Sequence, residues 1–582
     1  MLRKLLGCVV ALGISLNFAI CPCSGPAFAA ESPANLYNEL LSNGMQFEED
    51  HRWQEAIQQY EKLNRKFPNH TEVEQRLQIV RIRYDVTRRN SDKSFIETVG
   101  GTSPAAALDL MGEVLTKLQV YYVEAIDFPK LLRNGTAFLE VALTEEDFLQ
   151  RNVSPSVSRE SVKAIHDNIH KSVLGRPANS INDVRAIVSE VATIARDQIG
   201  VPPTAVIYEY ISGFVGLLDP YSAFLTAGEY QEIMSQIEGN LIGLGVELWA
   251  EGNELRIVEV FIGGPAAEAG LTKGDRLLEI GGIRVADVGA KRAADLLRGP
   301  DNSTVQLVFD RPQAGQFNSI VRRRRVEVPS VSSVAIVDST NGIGYLRISN
   351  FQKTTTREVD DALKILYGQG LKSLIIDLRR NPGGLLDSAV EIADRFLFSG
   401  SIVTTRGRNG QENHNYTAKL PGTWELPLMV MIDEDSASAS EIFAGAIRDQ
   451  KRGLIVGRTS YGKGSVQGVF HNELANGGMR LTVSKFFSPN GYAISARGIV
   501  PHISFDEAAP KDATSKAVER FVSKIPVGSG GVRESSKVDF RANNGSSVGE
   551  AANRLANSTE DSDLQRAIEA AKTELPKLAR LR

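Results

Sequence analysis

One stretch of this chain, residues 426–467, limits the possible folds more than any other. Within it, an apolar run at residues 428–432 precedes an acidic turn and a run of serines and alanines. Apolar residues at helical spacing follow, among them Ile442, Phe443 and Ala446. The pattern predicts a strand, a turn and a helix, with the serines at the helix N-terminus. Unpaired backbone N–H groups and the helix dipole favour negative charge there, so the site suits a developing oxyanion.

The predicted turn carries candidate nucleophiles, and a candidate base follows it. Ser436, Ser438 and Ser440 crowd the helix start, and Lys463 stands further on between Gly462 and Gly464. A serine hydroxyl is a weak nucleophile until a base takes its proton. A lysine can do so only when desolvation lowers its pKa towards neutrality. Spacing alone leaves the reactive serine open, and one of the three could simply cap the helix.

Histidines offer weaker alternatives. A Ser-His pair would require the loop of His414 or His471 to fold back, since no histidine lies between these two. His166 and His170 lie four residues apart on one predicted helical face, the spacing of a zinc-binding helix. No third ligand is evident in the sequence, so a solvated helix face is the favoured interpretation. We therefore expect neither a metal ion nor another cofactor.

Length and composition indicate a protein of several domains. At 582 residues the chain is too long for a single core, and roughly three to five domains are expected. A net charge of -4 and a charged content of 23% give no reason to expect a nucleic-acid partner. Strands and helices alternate from residue 343 onward, as in an α/β domain. We therefore predict a multidomain α+β protein with an α/β core in residues 327–505.

The first 30 residues have the pattern of a secretory signal peptide. Arg3 and Lys4 precede an apolar run, and Ala-Phe-Ala at residues 27–29 suits a cleavage site. The alternatives are a retained membrane anchor, for which the run is short, and a lipid-anchored Cys21. All three cysteines lie in this segment, so cleavage would leave no thiol for disulfides, catalysis or metal binding. We expect an exported protein of the periplasm or cell envelope.

Two helical regions are predicted to follow. In residues 33–90 the aromatic, small and proline residues occur in the order found in one tetratricopeptide repeat, which the segment resembles. A single repeat cannot bury its own apolar face. One face carries Trp53, Ala56, Ile57, Tyr60 and Leu63, and the next helix would supply Leu77, Ile79 and Val80. The segment either binds a protein partner or serves for packing or dimerisation, so an oligomer is possible. Residues 103–227 form a second, mainly helical region leading into the core.

Short strands replace helices in residues 237–326. Gly-Leu-Gly-Val at residues 243–246, a Lys-Gly-Asp turn and a helix predicted at residues 290–298 make the segment resemble a PDZ domain. The resemblance implies that Leu244, Gly245 and Val246 hold the terminal carboxylate of a bound peptide. The alternative is a scaffold domain with a closed groove. Four arginines at residues 322–325 predict a solvated strand or edge.

The last part of the chain, residues 506–582, is predicted to be a polar tail. Beyond residue 510 it is rich in Ser, Gly, Lys and Asn. A short amphipathic pattern then occupies residues 564–578. We predict a flexible tail that ends in a helix.

Three motifs together are similar to those of the C-terminal processing, or tail-specific, serine peptidases. They are Asp-Leu-Arg-Arg-Asn-Pro-Gly-Gly at 377–384, Ser-Ala-Ser-Ala-Ser-Glu at 436–441 and Gly-Lys-Gly-Ser-Val-Gln at 462–467. The similarity extends from residue 217 to about residue 501 and includes the PDZ-like insert. It implies a crotonase-like Ser-Lys protease core, with an inserted PDZ domain and an N-terminal helical region.

The same resemblance implies roles for single residues. Ser438 would be the nucleophile, Lys463 the general base and Gln467 the residue that orients the lysine. Backbone N–H groups of Gly384 and Ala439 would form the oxyanion hole. Substrates would be proteins with exposed apolar C-termini. The alternative function is a non-catalytic adaptor in the cell envelope that binds partners through its repeat and its PDZ-like domain.

Overall fold

The computed structural model describes residues 33–506 and 561–579, apart from residues 174, 252, 262, 420–423 and 496. The predicted signal peptide and most of the predicted polar tail lie outside the described residues. The chain divides into two compact units, residues 1–84 and 85–582. Among the helices of the described ranges, none combines the length and the apolar character needed to cross a membrane.

The first unit is built from helices. They are α1 (Pro33–Glu49), α2 (Trp53–Lys66) and α3 (Thr71–Ser91), the last of which continues into the second unit. The predicted face of α2 is buried at Trp53, Ala56, Tyr60 and Leu63. From α3, Leu77 and Val80 join this core, but Ile79 is 48% exposed. The prediction that Ile79 faces this core was wrong. Ile79 lies two residues after Leu77, and residues two apart on a helix do not share a face.

The second unit begins with a layer of helices. In chain order they are α4 (Lys93–Gly101), α5 (Pro104–Tyr121), α6 (Phe128–Ala142), α7 (Glu146–Asn152), α8 (Arg159–Val173), α9 (Ile181–Ile199) and α10 (Pro203–Gly216). α10 is buried on every side from Thr204 to Val215, the polar residues Glu209 and Ser212 included, which places it at the centre of this layer. A Cβ on Gly213 would lie 2.7 Å from the Cα of Gly135, so these two glycines let α10 and α6 cross closely. Strand β1 (Ala223–Leu225) and helix α11 (Ala227–Glu238) follow.

A small sheet domain is inserted next. A two-stranded ribbon of β2 (Asn240–Gly243) and β9 (Arg324–Glu327) encloses it in the sequence. Its sheet has the strand order β3, β4, β5, β7, β8, with β6 paired to β5. The elements are β3 (Val246–Glu251), β4 (Glu254–Val260), α12 (Pro265–Glu268), β5 (Arg276–Ile280), β6 (Ile283–Arg284), α13 (Val285–Val288), α14 (Ala290–Asp295), β7 (Thr304–Arg311) and β8 (Gly315–Arg322).

Two expectations for this domain need correction, and one residue explains both. The helix predicted over residues 290–298 ends at Asp295. Arg323, predicted to be solvated, is 8% exposed. Its guanidinium donates to the carbonyl oxygens of Leu297 at 2.8 Å and Leu296 at 2.9 Å. The arginine therefore satisfies carbonyls just past the helix end, where intrahelical donors run out.

A six-stranded sheet forms the core of the second unit. Its order is β10, β11, β12, β15, β16, β19, antiparallel between the first pair and parallel from β11 onward. The strands are β10 (Val331–Asp338), β11 (Ile343–Ile348), β12 (Ser373–Asp377), β15 (Leu428–Ile432), β16 (Leu454–Gly457) and β19 (Ile503–Ser504). Helices α15 (Thr355–Gly368), α16 (Leu386–Asp394) and α17 (Ala439–Asp449) connect them. All residues of β12 and β15 are buried, as their continuous apolar runs predict for parallel strands.

An antiparallel sheet packs beside this core. Its strands are β1, β13 (Ser401–Gly407), β14 (His414–Thr417), β17 (Ser465–Asn472) and β18 (Gly477–Phe487). β18 pairs with β1, β13 and β17. The strand predicted over residues 479–487 is thus the centre of a sheet. Mixed sheets and segregated helices confirm the multidomain α+β class.

The terminal helix exists and is packed. α18 (Ser562–Ala579) places Leu564, Ala567, Ile568, Ala571 and Leu575 in one apolar cluster with core residues of β11, β12, β15 and β16. Residues 507–560, between β19 and this helix, lie outside the described residues. At least the last part of the predicted tail is therefore part of the folded core.

Candidate active site

Ser438 occupies the turn between β15 and α17. Its backbone has φ 55° and ψ -112°, a conformation that non-glycine residues rarely adopt. Such strain persists only where the surroundings enforce it, and it is concentrated at functional sites. Ser438 directly precedes Ala439, the first residue of α17. The Ala439 N–H lies in the first helical turn, where no intrahelical acceptor exists.

The three candidate serines differ in their surroundings. The buried Ser436 hydroxyl donates to Leu378 O at 2.8 Å. The buried Ser440 hydroxyl donates to Asn381 O at 3.0 Å. Ser438 is only partly buried. This geometry favours Ser438 as the nucleophile, because the other two hydroxyls hold the 378–384 loop against the start of α17.

Lys463 lies in the loop between β16 and β17 and is mostly buried. Burial and the nearby positive charge of Arg480 lower the pKa of Lys463 to about 8. Its Nζ lies 4.8 Å from the centre of the Tyr221 ring, a cation–π distance. Arg480 Nε in turn donates to Tyr221 O at 2.8 Å. The surroundings thus give this lysine the property that a general base requires at near-neutral pH.

One carboxylate joins the two candidate catalytic residues. Glu441 Oε2 accepts the backbone N–H of Ser438 at 2.8 Å and that of Lys463 at 2.8 Å. Its Oε1 accepts from Gly462 N and from Ser460 Oγ, each at 2.6 Å. Within the described chain, Ser438 Oγ and Lys463 Nζ share no hydrogen bond. The structure therefore holds the two residues together through their backbones.

The Pro-Gly-Gly loop lies against Ser438. A Cβ on Gly383 would be 2.7 Å from the Ser438 Cβ and 3.0 Å from Ala439 N. A Cβ on Gly384 would lie 2.1 Å from Phe351 O. Both glycines have positive φ, 109° and 136°. The Gly383 backbone thus lies at the serine turn, and the oxyanion role of Gly384 and Ala439 stays a prediction.

Gln467 lies on β17, and its amide makes local contacts. Its Nε2 donates to Ser465 Oγ at 2.9 Å and to Thr482 Oγ1 at 3.5 Å. Thr482 Oγ1 donates in turn to Asp219 Oδ1 at 3.0 Å. These bonds connect Gln467 to the 219–222 loop, and its role in orienting Lys463 stays a prediction.

The predicted carboxylate loop of the inserted domain has a defined backbone. Leu244 is buried, and its carbonyl accepts from Ala266 N at 2.8 Å. Gly245 has φ 72°, and its carbonyl accepts from Phe261 N at 2.9 Å. Val246 begins β3, an edge strand of its sheet that packs beside α14. An open strand edge next to a helix can accept a peptide as an added strand.

Comparison with known proteins relates this geometry to a family. The sequence model of Peptidase family S41 matches residues 342–505, and that of a PDZ domain matches residues 256–311. A carboxy-terminal-processing protease of Bartonella bacilliformis is 36% identical over 307 residues, covering 52% of this chain and 70% of the relative. A carboxyl-terminal-processing protease of a Synechocystis species is 34% identical, covering 56% and 77%. This chain belongs to the carboxyl-terminal-processing serine proteases of family S41.

A solved structure is similar to this S41 protease over much of its length. The photosystem II D1 C-terminal processing protease has a TM-score of 0.34 and 23% identity, and the match covers 70% of this chain and 96% of that one. The PDZ match lies inside the segment predicted as residues 237–326.

Sequence reasoning assigned no role to three residues of the S41 site. Glu441 carried a signal, since an acidic residue three positions after a serine before an apolar run is a helix-start pattern. Tyr221 and Arg480 carried none, because each reaches Lys463 from another part of the chain. Only the paired strands β1 and β18 bring them there.

The histidine pair of this S41 protease lies on α8. His170 Nδ1 is 3.0 Å from Glu140 Oε1, and His166 Nε2 is 3.8 Å from Glu140 Oε2. The His170 side chain is 56% exposed and that of His166 41%. Over the described ranges, no group of three or more His, Cys, Asp or Glu side chains is arranged to hold a metal ion.

Proposed function

We propose that this protein is an exported endopeptidase in which Ser438 is the nucleophile and Lys463 the general base. The attachment of both residues to Glu441 is the observation that carries the proposal. Burial and the charge of Arg480 also lower the pKa of Lys463 to about 8, and strongly perturbed pKa values are concentrated at functional sites.

The proposed reaction proceeds through an acyl-enzyme. Neutral Lys463 Nζ accepts the Ser438 proton as Oγ attacks the scissile carbonyl carbon. The carbonyl oxygen becomes negative and receives hydrogen bonds from the N–H groups of Gly384 and Ala439. Protonated Lys463 then donates its proton to the leaving amine, the peptide C–N bond breaks, and a water molecule hydrolyses the ester.

We further propose that the inserted domain selects the substrate. A terminal carboxylate would meet the backbone N–H groups of the 244–246 loop, and the residues before it would extend the sheet at β3. The Lys463 ammonium faces the Tyr221 ring and is not bonded to Ser438 Oγ in the described structure. In this proposal the Lys463 side chain turns from the Tyr221 ring to the serine, and ligand binding to the PDZ domain is the trigger.

The segments outside the peptidase core have proposed roles of their own. The pattern of residues 1–30 supports export to the periplasm or cell envelope. The helices of residues 33–84 offer a surface for a protein partner or a second copy of the chain. N-terminal sequencing of the mature protein tests export, with a cut after Ala29 or Ala30 as the expected result.

Proteolysis of an unfolded protein with an apolar C-terminus tests the main proposal. Ser438→Ala and Lys463→Ala should each abolish cleavage, whereas Lys485→Ala, at an exposed lysine of β18, should retain it. Amidation of the substrate C-terminus should reduce cleavage, because the carboxylate is the proposed anchor. Full activity of Ser438→Ala would contradict the proposal. A wild-type protein that binds C-terminal peptides but never cleaves would indicate an adaptor instead.

A further inference from the structure

Helix α18 reaches the catalytic core from a distant part of the sequence. Residues 507–560 separate it from β19. Its apolar side packs on the sheet next to Tyr345 of β11, Ile375 of β12 and Val456 of β16. The first turn of α18 consequently lies near the carboxyl ends of parallel strands, the edge where α/β sheets place their functional loops.

An acidic residue at the start of α18 binds the loop that follows β12. Asp561 accepts two hydrogen bonds from the Arg379 guanidinium, at 2.8 Å from Nη1 and 2.7 Å from Nη2. Arg379 also donates to the fully buried Asp377. Asp561 Oδ1 accepts the Leu564 N–H at 2.9 Å, so the same carboxylate caps α18. The bidentate pair fixes the position of Arg379 relative to the helix.

A second acidic residue binds the loop that follows β16. Arg458 Nη1 donates to Asp563 Oδ2 at 2.7 Å. The Asp563 side chain is 14% exposed and that of Arg458 36%. Arg458 stands directly after Gly457, the last residue of β16. One helical turn therefore carries two carboxylates, and each binds an arginine at the end of a different parallel strand.

Both arginines belong to loops that carry candidate catalytic groups. Arg379 precedes Asn381, whose carbonyl accepts from Ala437 N and Ser440 Oγ, each at 3.0 Å. The same loop continues to Gly383, against Ser438. Arg458 precedes Ser460, which donates to Glu441, and the loop continues to Lys463. No other element of the described core forms ion pairs with both loops.

We infer that the first turn of α18 positions the oxyanion loop and the lysine loop together, with Asp561 and Asp563 as positioning residues. The inference rests on the proposed function, since it concerns the loops of that site. Neither carboxylate contacts the reacting atoms. Each acts through one arginine, and loss of either charge leaves a partly buried guanidinium with fewer acceptors and its loop less constrained.

Charge-removing variants test this positioning role. Asp561→Asn keeps a side chain that can cap α18 but removes the charge that binds Arg379. Asp563→Asn removes the charge that binds Arg458. Glu569→Gln is the matched control, because Glu569 is an exposed carboxylate on α18 that pairs only with Lys572 in the described structure. Each variant is made in the active chain and in the Ser438→Ala chain.

The two readouts are hydrogen exchange and steady-state kinetics. Asp561→Asn should speed amide exchange in residues 378–384, and Asp563→Asn should speed it in residues 458–463, each leaving the other loop less affected. We expect kcat to fall about tenfold for Asp561→Asn with KM changed less than about twofold, because misplaced catalytic groups slow chemistry more than binding. Asp561→Glu should recover part of kcat, and Glu569→Gln should match the parent.

The outcomes separate this inference from the proposed function. Full cleavage by Ser438→Ala overturns the proposed function, and the exchange measurements still decide whether α18 holds the loops. Unchanged exchange in both loops overturns the positioning role, whatever the activity. Faster exchange with an unchanged kcat also overturns it, because the loops would then move without consequence for the chemistry. A global loss of protection in every strand would mean that the carboxylates stabilise the fold only, and would overturn it as well.

Discussion

The backbone N–H of Lys463 donates to Glu441 Oε2 at 2.8 Å, and this bond fixes the candidate base within the site. The same oxygen accepts the N–H of Ser438 at 2.8 Å. Burial raises the pKa of Glu441, while its four hydrogen bonds oppose that effect. A buried acceptor with four donors is costly to alter, since each donor that loses it is left unsatisfied.

Glu441→Gln should therefore impair both stability and cleavage. Glutamine has the same size, but it presents an NH₂ group to N–H donors that need an acceptor. We expect the free energy of unfolding to fall by about 2 to 3 kcal/mol and kcat/KM to fall at least about tenfold. Chemical denaturation and a cleavage assay measure the two effects. Glu434 is an exposed residue of the same turn, so Glu434→Gln is the control. Equal stability and equal kcat/KM in the two variants would contradict the role assigned to Glu441.

Arg480→Met should shift the pH dependence of cleavage. Lys463 accepts a proton only when neutral, so kcat/KM should rise with pH through about 8, the pKa of Lys463. The positive charge of Arg480 helps to lower that pKa, so its removal should move the rise to higher pH, by about one unit. A pH–rate profile beside the exposed Arg406→Met measures the shift. A midpoint that stays in place or moves down would show that Arg480 does not tune the lysine.

Lys463→Met should stabilise the fold while abolishing cleavage. The pKa of Lys463 is about 8 in the folded protein and 10.5 in the reference state, so the charged form costs the fold about 3 kcal/mol at pH 7. The unfolded chain binds the proton more tightly between these values, so wild-type stability should rise with pH from about 8 to about 10.5.

Denaturation at pH 7 and at pH 10 tests this expectation. Methionine should give a gain of about 2 to 3 kcal/mol at pH 7, reduced by the lost contact with the Tyr221 ring, and a smaller gain at pH 10. Lys485→Met, at an exposed lysine of β18, should show no gain in stability at either pH. A variant that is less stable than wild type at pH 7 would argue against a desolvated lysine.

Gly383→Ala should disable the site without unfolding the protein. The new Cβ would lie 2.7 Å from the Ser438 Cβ, and φ at this position is 109°, so the loop must move away from the serine. We expect kcat to fall by about 100-fold and labelling of Ser438 by a fluorophosphonate to slow. Gly410→Ala is the control, since a Cβ there meets nothing within 4 Å. Equal labelling rates in the two variants would place the oxyanion loop elsewhere.

Local sequence patterns predicted the elements around the site well. The strand at residues 428–432 is observed with those bounds, and the helix after the serines begins at Ala439. These segments could be predicted because a buried parallel strand and an amphipathic helix each leave a periodic apolar signature. Exposure of Ile79 and burial of Arg323 escaped prediction, since both depend on what packs against the element.

The choice among the three serines shows where local patterns end. All three stand within five residues, and spacing could not separate them. In the folded chain, Ser436 and Ser440 donate to carbonyls of the 378–384 loop, and Ser438 has the strained backbone. Those carbonyls lie more than fifty residues earlier, so only packing reveals the difference.

From its order of residues alone, this chain could be assigned its fold class, three candidate serines and a candidate lysine, because periodicity and short motifs are properties of neighbouring residues. The PDZ segment and the choice of Ser438 rested on resemblance to known families. The surroundings of Lys463 came only from the folded chain. Tyr221, Glu441 and Arg480 reach it from three different segments, and desolvation exists only once they have packed around it. The contacts of α18 with Arg379 and Arg458 belong to the same category, since ion pairs between distant segments leave no periodic trace in a sequence.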